Sequence, residues 1–167
     1  MAISASMLPE FDQEMANTRK TLSRVPDGKF DWKPHAKSMP MGQLSVHLAL
    51  FPSWMSDTLS KTSFDYAPVD GPAYEAPDIK TTQQLLEAFD SGVAEARKGL
   101  EKATDAELMQ NWSLLEGGKT IFTMPRIAVL RGMVMNHMIH HRAQLGVYLR
   151  LNDVPVPGLY GPSADEH

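Results

Sequence analysis

The sequence predicts an all-α protein built as a bundle of four helices. Four segments carry apolar residues at steps of three and four, which is the period of an amphipathic helix. The stretches between these segments hold most of the 12 prolines and 11 glycines and show little strand-like alternation. With 167 residues in all, we expect a single domain over residues 1–167.

The first two helices are predicted over residues 6–24 and 39–61. The sequence PDGKF ends the first helix, because proline and glycine interrupt the helical pattern there. Ser38 is the predicted N-cap of the second helix, and Pro40 is acceptable in its first turn. Pro52 lies inside the second helix and removes one backbone hydrogen bond, so we expect a kink at that position.

A long loop, TSFDYAPVDGPAYEAPD, separates the second and third helices. Its length favours a crossover at one end of the bundle over a tight connection between neighbours. The third helix begins with a capping box formed by Thr81 and Gln84, and its buried face extends to Leu100. The sequence TDAEL, which follows, predicts a short extra helical turn.

The segment NWSLLEGGKTIFTMP predicts either two short strands around a Gly117–Gly118 turn or a structured loop. The fourth helix is predicted from Thr123, as its N-cap, to about Leu151, with Pro125 near its first position. The residues beyond it read as an irregular C-terminal tail.

Composition narrows the classes of function. The formal net charge of -4 provides no basic surface for phosphates, so nucleic-acid binding is not expected. Because the chain has no cysteine, histidine and carboxylate are its only strong metal ligands. The N-terminal segment lacks the pattern of a secretion signal, and the longest apolar stretch is too short for a bilayer span. We therefore expect a cytoplasmic protein without membrane contact.

Three of the six histidines lie close together in the sequence NHMIHHRAQL of the fourth helix. On an ideal helix of about 100° per residue, His137 and His141 straddle the centre of the apolar stripe, whereas His140 lies on its flank. His47 in the second helix also faces the interior, on the side that carries Phe51 and Trp54. One interpretation is that these are core histidines satisfied by hydrogen bonds.

A shared metal ion is the other interpretation of the three inward histidines. Each neutral ring needs a donor and an acceptor in a region short of polar groups, and a divalent cation would accept one lone pair from each ring. Three nitrogens from two helices leave the coordination sphere open, as in catalytic zinc sites. Nickel, iron(II), cobalt and manganese remain candidates beside zinc. His35 is expected in a loop or at a rim, and His167, at the terminus, is expected to be disordered.

Two segments, SMPMGQLSVHLA and NHMIHHRAQLGVYLRLNDVPVPGLYGPSAD, resemble the DinB/YfiT-like family of bacterial proteins, and the resemblance covers essentially the whole chain. It implies a four-helix bundle in up-up-down-down order with a long crossover. It also implies one divalent metal ion, most often nickel or zinc, held by His47, His137 and His141. Family members with assigned chemistry include thiol transferases and isomerases that use bacillithiol or mycothiol.

These observations suggest a metal-dependent transferase or hydrolase that acts on a small molecule, with a low-molecular-weight thiol as a candidate cofactor. The absence of a glutamate between the paired histidines argues against a peptidase. The alternatives are a non-catalytic metal-binding module of the stress-response type and an interaction bundle without metal. Four aromatic residues are the predicted walls of a substrate pocket, although Phe51 also fits an ordinary core position: Trp54, Phe51, Tyr148 and Tyr160.

The outward side of the fourth helix indicates which residues face solvent or a partner chain. Arg142 and Arg150 are expected to be solvated or to lie in an interface. Met135 and Ile139 form a small apolar patch on that side, and this patch suggests a helix-to-helix contact in a homodimer.

Overall fold

The chain folds mainly into helices, as shown by a computed structural model that describes residues 2–166. His167 therefore lies outside the described residues. Helices α1 to α4 come first along the chain and span Ile3–Leu22, Met41–Ser60, Thr82–Lys102 and Asp105–Leu108. The last helical stretch is continuous and consists of α5 (Arg126–Ala128), a π-helical segment (Val129–Asn136) and α6 (His137–Arg150). The prediction of a mainly helical chain is confirmed, and a small sheet is present in addition.

The long helices share one apolar core. Helix α2 packs against α3, α1 packs against α3 and α6, and α2 also contacts both the π-helical segment and α6. Side chains from every long helix are completely buried there, among them Phe11, Phe51, Leu85, Leu130 and Leu145. Burial of each such side chain stabilises the fold by about 1.5–3 kcal/mol. The packing places α2 beside α6, which are the two helices that carry the inward histidines.

Helices α1 and α2 begin at residues other than those that sequence periodicity predicts. Helix α1 begins at Ile3, earlier than predicted, where the backbone N–H of Ile3 donates to the Asp105 carboxylate at 2.8 Å. Helix α2 begins at Met41, with Pro40 at the cap position. The prediction of Ser38 as N-cap is wrong, because the backbone enters the helix only two residues later, at Pro40. Helix α2 then continues through Pro52.

The later helix starts follow the sequence more closely. Thr81 caps α3 by accepting from the backbone N–H of Gln84 at 3.2 Å. The Gln84 side chain accepts from the backbone N–H of Lys80 instead of returning to Thr81, so the capping box is half formed. Pro125 occupies the cap position of the last helical stretch. The prediction of Thr123 as that cap is wrong, because Thr123 belongs to a strand.

A three-stranded sheet lines a cavity together with α2 and the π-helical segment. Its strands are β1 (Ser63–Asp65), β2 (Asn111–Glu116) and β3 (Lys119–Pro125), with β1 parallel and β3 antiparallel to the central β2. The predicted hairpin is confirmed, whereas β1 was expected to be loop. Asp65 ties β1 to the hairpin, because its carboxylate accepts from the backbone N–H groups of Gly117 and Gly118 at 3.1 and 2.7 Å. Both glycines have positive φ, which this turn requires.

The last helical stretch is buried on two sides. Met135 is fully buried and Ile139 is partly buried, so the predicted outward patch is wrong. Arg142, expected at the surface, is only 2% exposed. The physical reason is that α6 contacts α1 as well as α2, which buries a wider arc than one apolar stripe indicates. Without this patch the homodimer stays a prediction.

The membrane prediction can be compared with the helices themselves. Across residues 2–166, no helix combines the length and the apolar character needed to cross a bilayer. Helices α1, α2 and α3 are long enough, with 20, 20 and 21 residues, so their polar content decides the matter.

Candidate metal centre

Three histidines from two neighbouring helices converge inside the molecule. His47 projects from the middle of α2, whereas His137 and His141 lie one turn apart at the start of α6. The π-helical segment ends immediately before His137, and such wide turns occur frequently at functional sites. One ring nitrogen from each histidine can be chosen so that all three atoms lie within 4.8 Å of one another.

The rings of the two α6 histidines are in direct contact. Their Nε2 atoms are 2.9 Å apart, and the His47 ring centroid lies 4.8 Å from that of His141 and 5.3 Å from that of His137. Two neutral imidazoles can approach this closely only if one Nε2 carries a proton and donates it to the other. This contact lies beside the His47 ring.

Gln144 determines which nitrogen of His141 is free. Its side-chain oxygen lies 2.7 Å from Nδ1 of His141, so Nδ1 carries the proton and Nε2 presents its lone pair. This is the outer hydrogen bond that metal-ligating histidines usually make. His137 must then donate from Nε2, and its buried Nδ1 has no hydrogen-bond partner within residues 2–166.

The unpartnered nitrogen tests whether a metal fits the site. If a cation takes the Nε2 lone pairs, the proton of His137 moves to Nδ1. The backbone of Met133 also makes a contact with the His137 ring that favours its protonated form. The three rings thus form a donor set that could hold a divalent transition metal.

The electrostatics favour the neutral form of His47 and His137. Burial, followed by the proximity of His141 and His137, lowers the pKa of His47 to about 4. Burial also lowers the pKa of His137, with a further contribution from His141 that the Met133 backbone partly opposes. Neutral imidazole is the form that binds metal, so His47 and His137 are ready to act as ligands at neutral pH.

The remaining described histidines lie outside this group. His140 is exposed, and its ring packs at 4.9 Å from the His141 ring without joining the converging set. His35 lies in the loop before α2, where its Nδ1 accepts from the backbone N–H of Lys37 at 3.1 Å. The prediction of a loop position for His35 is confirmed.

A cavity of about 430 Å³ opens onto two of the three histidines, His47 and His137. Its walls are mainly apolar and come from α2, the π-helical segment and the sheet. Aliphatic contacts come from Leu114, Val129, Met133 and Val134. Six aromatic side chains complete the lining: Trp54, Phe64, Tyr66, Tyr74, Trp112 and Phe122.

The structure brings one of the four predicted pocket residues, Trp54, to this cavity. Phe51 is completely buried behind the histidines, with its ring centroid 4.9 Å from those of His47 and His137. Tyr148 packs against Trp32 and donates to a backbone carbonyl, and Tyr160 bonds to residues of α1 and α6. Contact of any of the four with a substrate stays a prediction.

Sequence reasoning missed two kinds of residue at this site. The aromatic wall supplied by the sheet was one, although Trp112 and Leu114 already show the alternate spacing of a strand with one apolar face. Gln144 was the other, although it lies three residues after His141 and therefore on the same side of α6.

A second, more polar cavity of about 730 Å³ meets the first at the same histidine. The two cavities share His47, Trp54 and Tyr74. The second cavity extends from there along the start of α2 to the loop over residues 76–80, and its lining includes the carboxylates of Asp27 and Asp31. The histidine group thus lies where an apolar space and a polar space adjoin.

Comparison with known proteins identifies similar structures and the family of this chain. No curated protein sequence matches the chain at a significant level. Among solved structures, a DinB-like protein from Bacillus cereus ATCC 10987 matches with a TM-score of 0.72 and 21% identity, covering 95% of this chain and 98% of that chain. The DinB-like protein YjoA from Bacillus subtilis matches with a TM-score of 0.69 and 17% identity, covering 92% and 97%. Because the DinB family model matches residues 1–167, the chain belongs to the DinB family.

Proposed function

We propose that this protein is a metal-dependent enzyme that holds one divalent ion, zinc or nickel, through His47, His137 and His141 and acts on a small molecule. The observation that carries the proposal is the convergence of three ring nitrogens within 4.8 Å at the inner end of an open cavity. When bound, such an ion lowers the pKa of a coordinated water or thiol and so supplies a nucleophile near neutral pH.

The chain's own residues prepare this site. Gln144 holds the His141 ring in one tautomer, which leaves Nε2 available. Phe51 and Trp54 pack edge-on against His47, with ring centroids 4.9 and 5.1 Å away, and so restrict its rotation. The apolar cavity wall lowers the local polarity beside His47 and His137, which strengthens electrostatic interactions there.

The two adjoining cavities favour a transferase over a hydrolase. A hydrolase needs space for one substrate and a water, whereas a transferase must hold a donor and an acceptor at the same reacting centre. His47 borders both cavities, so each could hold one reactant within reach of the histidines. We propose a low-molecular-weight thiol as the donor, and a cytoplasmic enzyme with the helices in up-up-down-down order.

Metal titration tests the site. Protein purified without added metal and then reconstituted with Zn²⁺ or Ni²⁺ should contain about one ion per chain, measured by elemental analysis and calorimetry. His47→Ala, His137→Ala and His141→Ala should each lose stoichiometric binding. His140→Ala is the matched control on the same helix and should retain it. Wild-type protein that binds no transition metal after reconstitution would overturn the proposal.

Activity measurements then test the chemistry. The loaded enzyme should consume an electrophilic acceptor in the presence of a small thiol, and His137→Ala should abolish turnover while His140→Ala does not. If the loaded protein turns over neither thiol-acceptor pairs nor hydrolysable esters, the enzymatic part of the proposal is wrong and the non-catalytic metal-binding module is favoured.

A further inference from the structure

We infer that the cavity beside the histidines selects a neutral or anionic aromatic molecule that presents a polar group to His47 and His137, and that it rejects a cationic one. The inference deepens the proposed function and rests on it for the role of the histidines. The inference adds to the proposed function the chemical class of the substrate. Its basis is the composition of the wall, the state of the few polar groups in it and the charge expected at its inner end.

The wall offers aromatic surface from two directions. Trp54 contributes from α2, whereas Phe64, Trp112 and Phe122 contribute from the three strands. Trp112 and Phe122 pack on each other with ring centroids 6.1 Å apart, and Phe64 packs on Tyr74 at 5.8 Å. The aromatic faces and edges that line the cavity favour a flat ring beside them. The volume lies within the usual range for sites that enclose small ligands.

Three polar side chains of the wall already have partners. The Thr58 hydroxyl donates to the Trp54 carbonyl at 2.8 Å. Asp57 is the charged residue among those that line the cavity within residues 2–166, and it is paired with Lys61 at 2.7 Å. A hydrogen bond to Glu116 raises the pKa of Tyr66, which keeps that hydroxyl neutral and directed to the hairpin. The two histidines and the Nε1–H of Trp112, which is buried without a hydrogen-bond partner among residues 2–166, are therefore polar groups left for a ligand.

Charge excludes a cationic ligand. An anionic ring would lose its hydration in this apolar wall, but a divalent ion among the histidines would pair with its charge. A cationic ring could use the aromatic faces, but a divalent ion among the histidines would repel it. A neutral ring loses only apolar hydration on entry, and this loss is favourable.

Calorimetric titration with three probes of one ring system tests the inference: 2-naphthol, 2-naphthalenesulfonate and (2-naphthyl)trimethylammonium. For the zinc-loaded protein we expect 2-naphthol and 2-naphthalenesulfonate each to bind at least about tenfold more tightly than (2-naphthyl)trimethylammonium. Equal or tighter binding of the cationic probe would overturn the inference. Metal-free protein is titrated in parallel, because any binding of 2-naphthol there is due to the cavity wall and not to the metal.

A pair of adjacent variants locates the binding site. Phe122 lines the cavity, whereas Ile121 is 50% exposed and points to the other face of the same strand. Phe122→Asp should weaken 2-naphthol binding by at least about tenfold, and Ile121→Asp should change it by less than about twofold. Equal effects of the two variants would contradict the cavity as the binding site.

The tryptophans give a readout in the unaltered protein, which decides the matter if Phe122→Asp does not fold. Trp54 and Trp112 line the cavity, whereas Trp32 packs against Tyr148 elsewhere. In NMR spectra, 2-naphthol should shift the indole signals of Trp54 and Trp112 and leave that of Trp32 in place. Failure of metal binding with these shifts intact would remove the proposed function alone. Metal binding without these shifts would remove the substrate class alone.

Discussion

Helix α6 buries two polar clusters through consecutive residues, and the two are built in opposite ways. His141 faces α2 and forms a group of three imidazole rings with His47 and His137 beside a cavity. Arg142, rotated by about 100°, faces α1 and pairs with Glu14 at 2.7 Å. The Arg142 and Glu14 side chains are 1% and 7% exposed. Helix α6 therefore presents an imidazole cluster to α2 and a charged cluster, Arg142 with Glu14, to α1.

The difference lies in how completely each cluster is satisfied. The Arg142 guanidinium also donates to the Glu14 carbonyl and the Thr18 hydroxyl, both at 3.1 Å, and to the Tyr160 hydroxyl at 2.5 Å. The histidine cluster, by contrast, leaves Nδ1 of His137 without a partner among residues 2–166. A closed set of partners is what a structural role requires, and an open one is what ligand binding requires.

Removing one partner of the charged cluster should give the largest effect on stability. Glu14→Ala leaves the Arg142 guanidinium buried without its counter-charge, so we expect a loss of about 3–5 kcal/mol in unfolding free energy. Denaturant unfolding followed by circular dichroism measures it. Asp12→Ala is the matched control, because Asp12 lies on the same helix and pairs with Arg97 at the surface. It should cost less than about 1 kcal/mol.

Replacing both partners sharpens the interpretation. Glu14→Leu combined with Arg142→Met removes both charges and keeps apolar volume, so it should be clearly less destabilising than Glu14→Ala. If the double variant were the less stable of the two, the unpaired charge could not be the reason for the loss.

The histidine cluster should respond in metal affinity. Gln144→Ala removes the acceptor that orients His141, and such outer contacts are typically worth about 10- to 100-fold in metal affinity. Competition with a zinc chelator measures the change. Gln83→Ala, on the exposed side of α3, is the control and should leave the affinity unaltered. Equal affinities for the two variants would show that Gln144 does not orient the ligand.

The contrast between the clusters also explains what the sequence could predict. Histidine is chemically distinctive, so the spacing of His137 and His141 and the inward side of His47 led directly to the observed group. Arginine is usually at the surface, and the wheel placed Arg142 away from the main stripe. Its burial depends on Glu14, which lies 128 positions away in the chain. The sequence signal was an acid three residues after Phe11 on an otherwise apolar face.

Strand β1 escaped prediction for a similar reason. Its three residues form a strand because β2 lies beside them and because the Asp65 carboxylate holds the Gly117–Gly118 turn. A short strand held by such long-range contacts has no period that can be recognised locally. The hairpin β2–β3 was predictable because its turn residues and its alternation lie within one segment.

Acid should weaken the metal-free histidine cluster. The pKa of His47 is about 4 in the folded protein and about 6.5 without burial, so the unfolded chain takes up the proton first. The contribution of His47 is complete above the higher value and is lost as the pH falls from 6.5 toward 4. Because the ring is partly exposed, we expect a loss of about 1 kcal/mol between about pH 7.5 and about pH 5.5. Denaturant unfolding should show a flatter pH dependence for His47→Gln and an unchanged one for His140→Gln.

Tyr160→Phe should give the smallest effect and tests whether the adjacent clusters are independent. The hydroxyl of Tyr160 donates to the Glu14 carboxylate at 2.9 Å, but the residue is 66% exposed, so water can replace the bond. We expect a loss of about 0.5–1 kcal/mol in unfolding free energy. Zinc affinity should change by less than about twofold, because His141 and Arg142 contact different helices. A tenfold fall in affinity, about 1.4 kcal/mol, would show instead that the charged cluster positions His141 through α6.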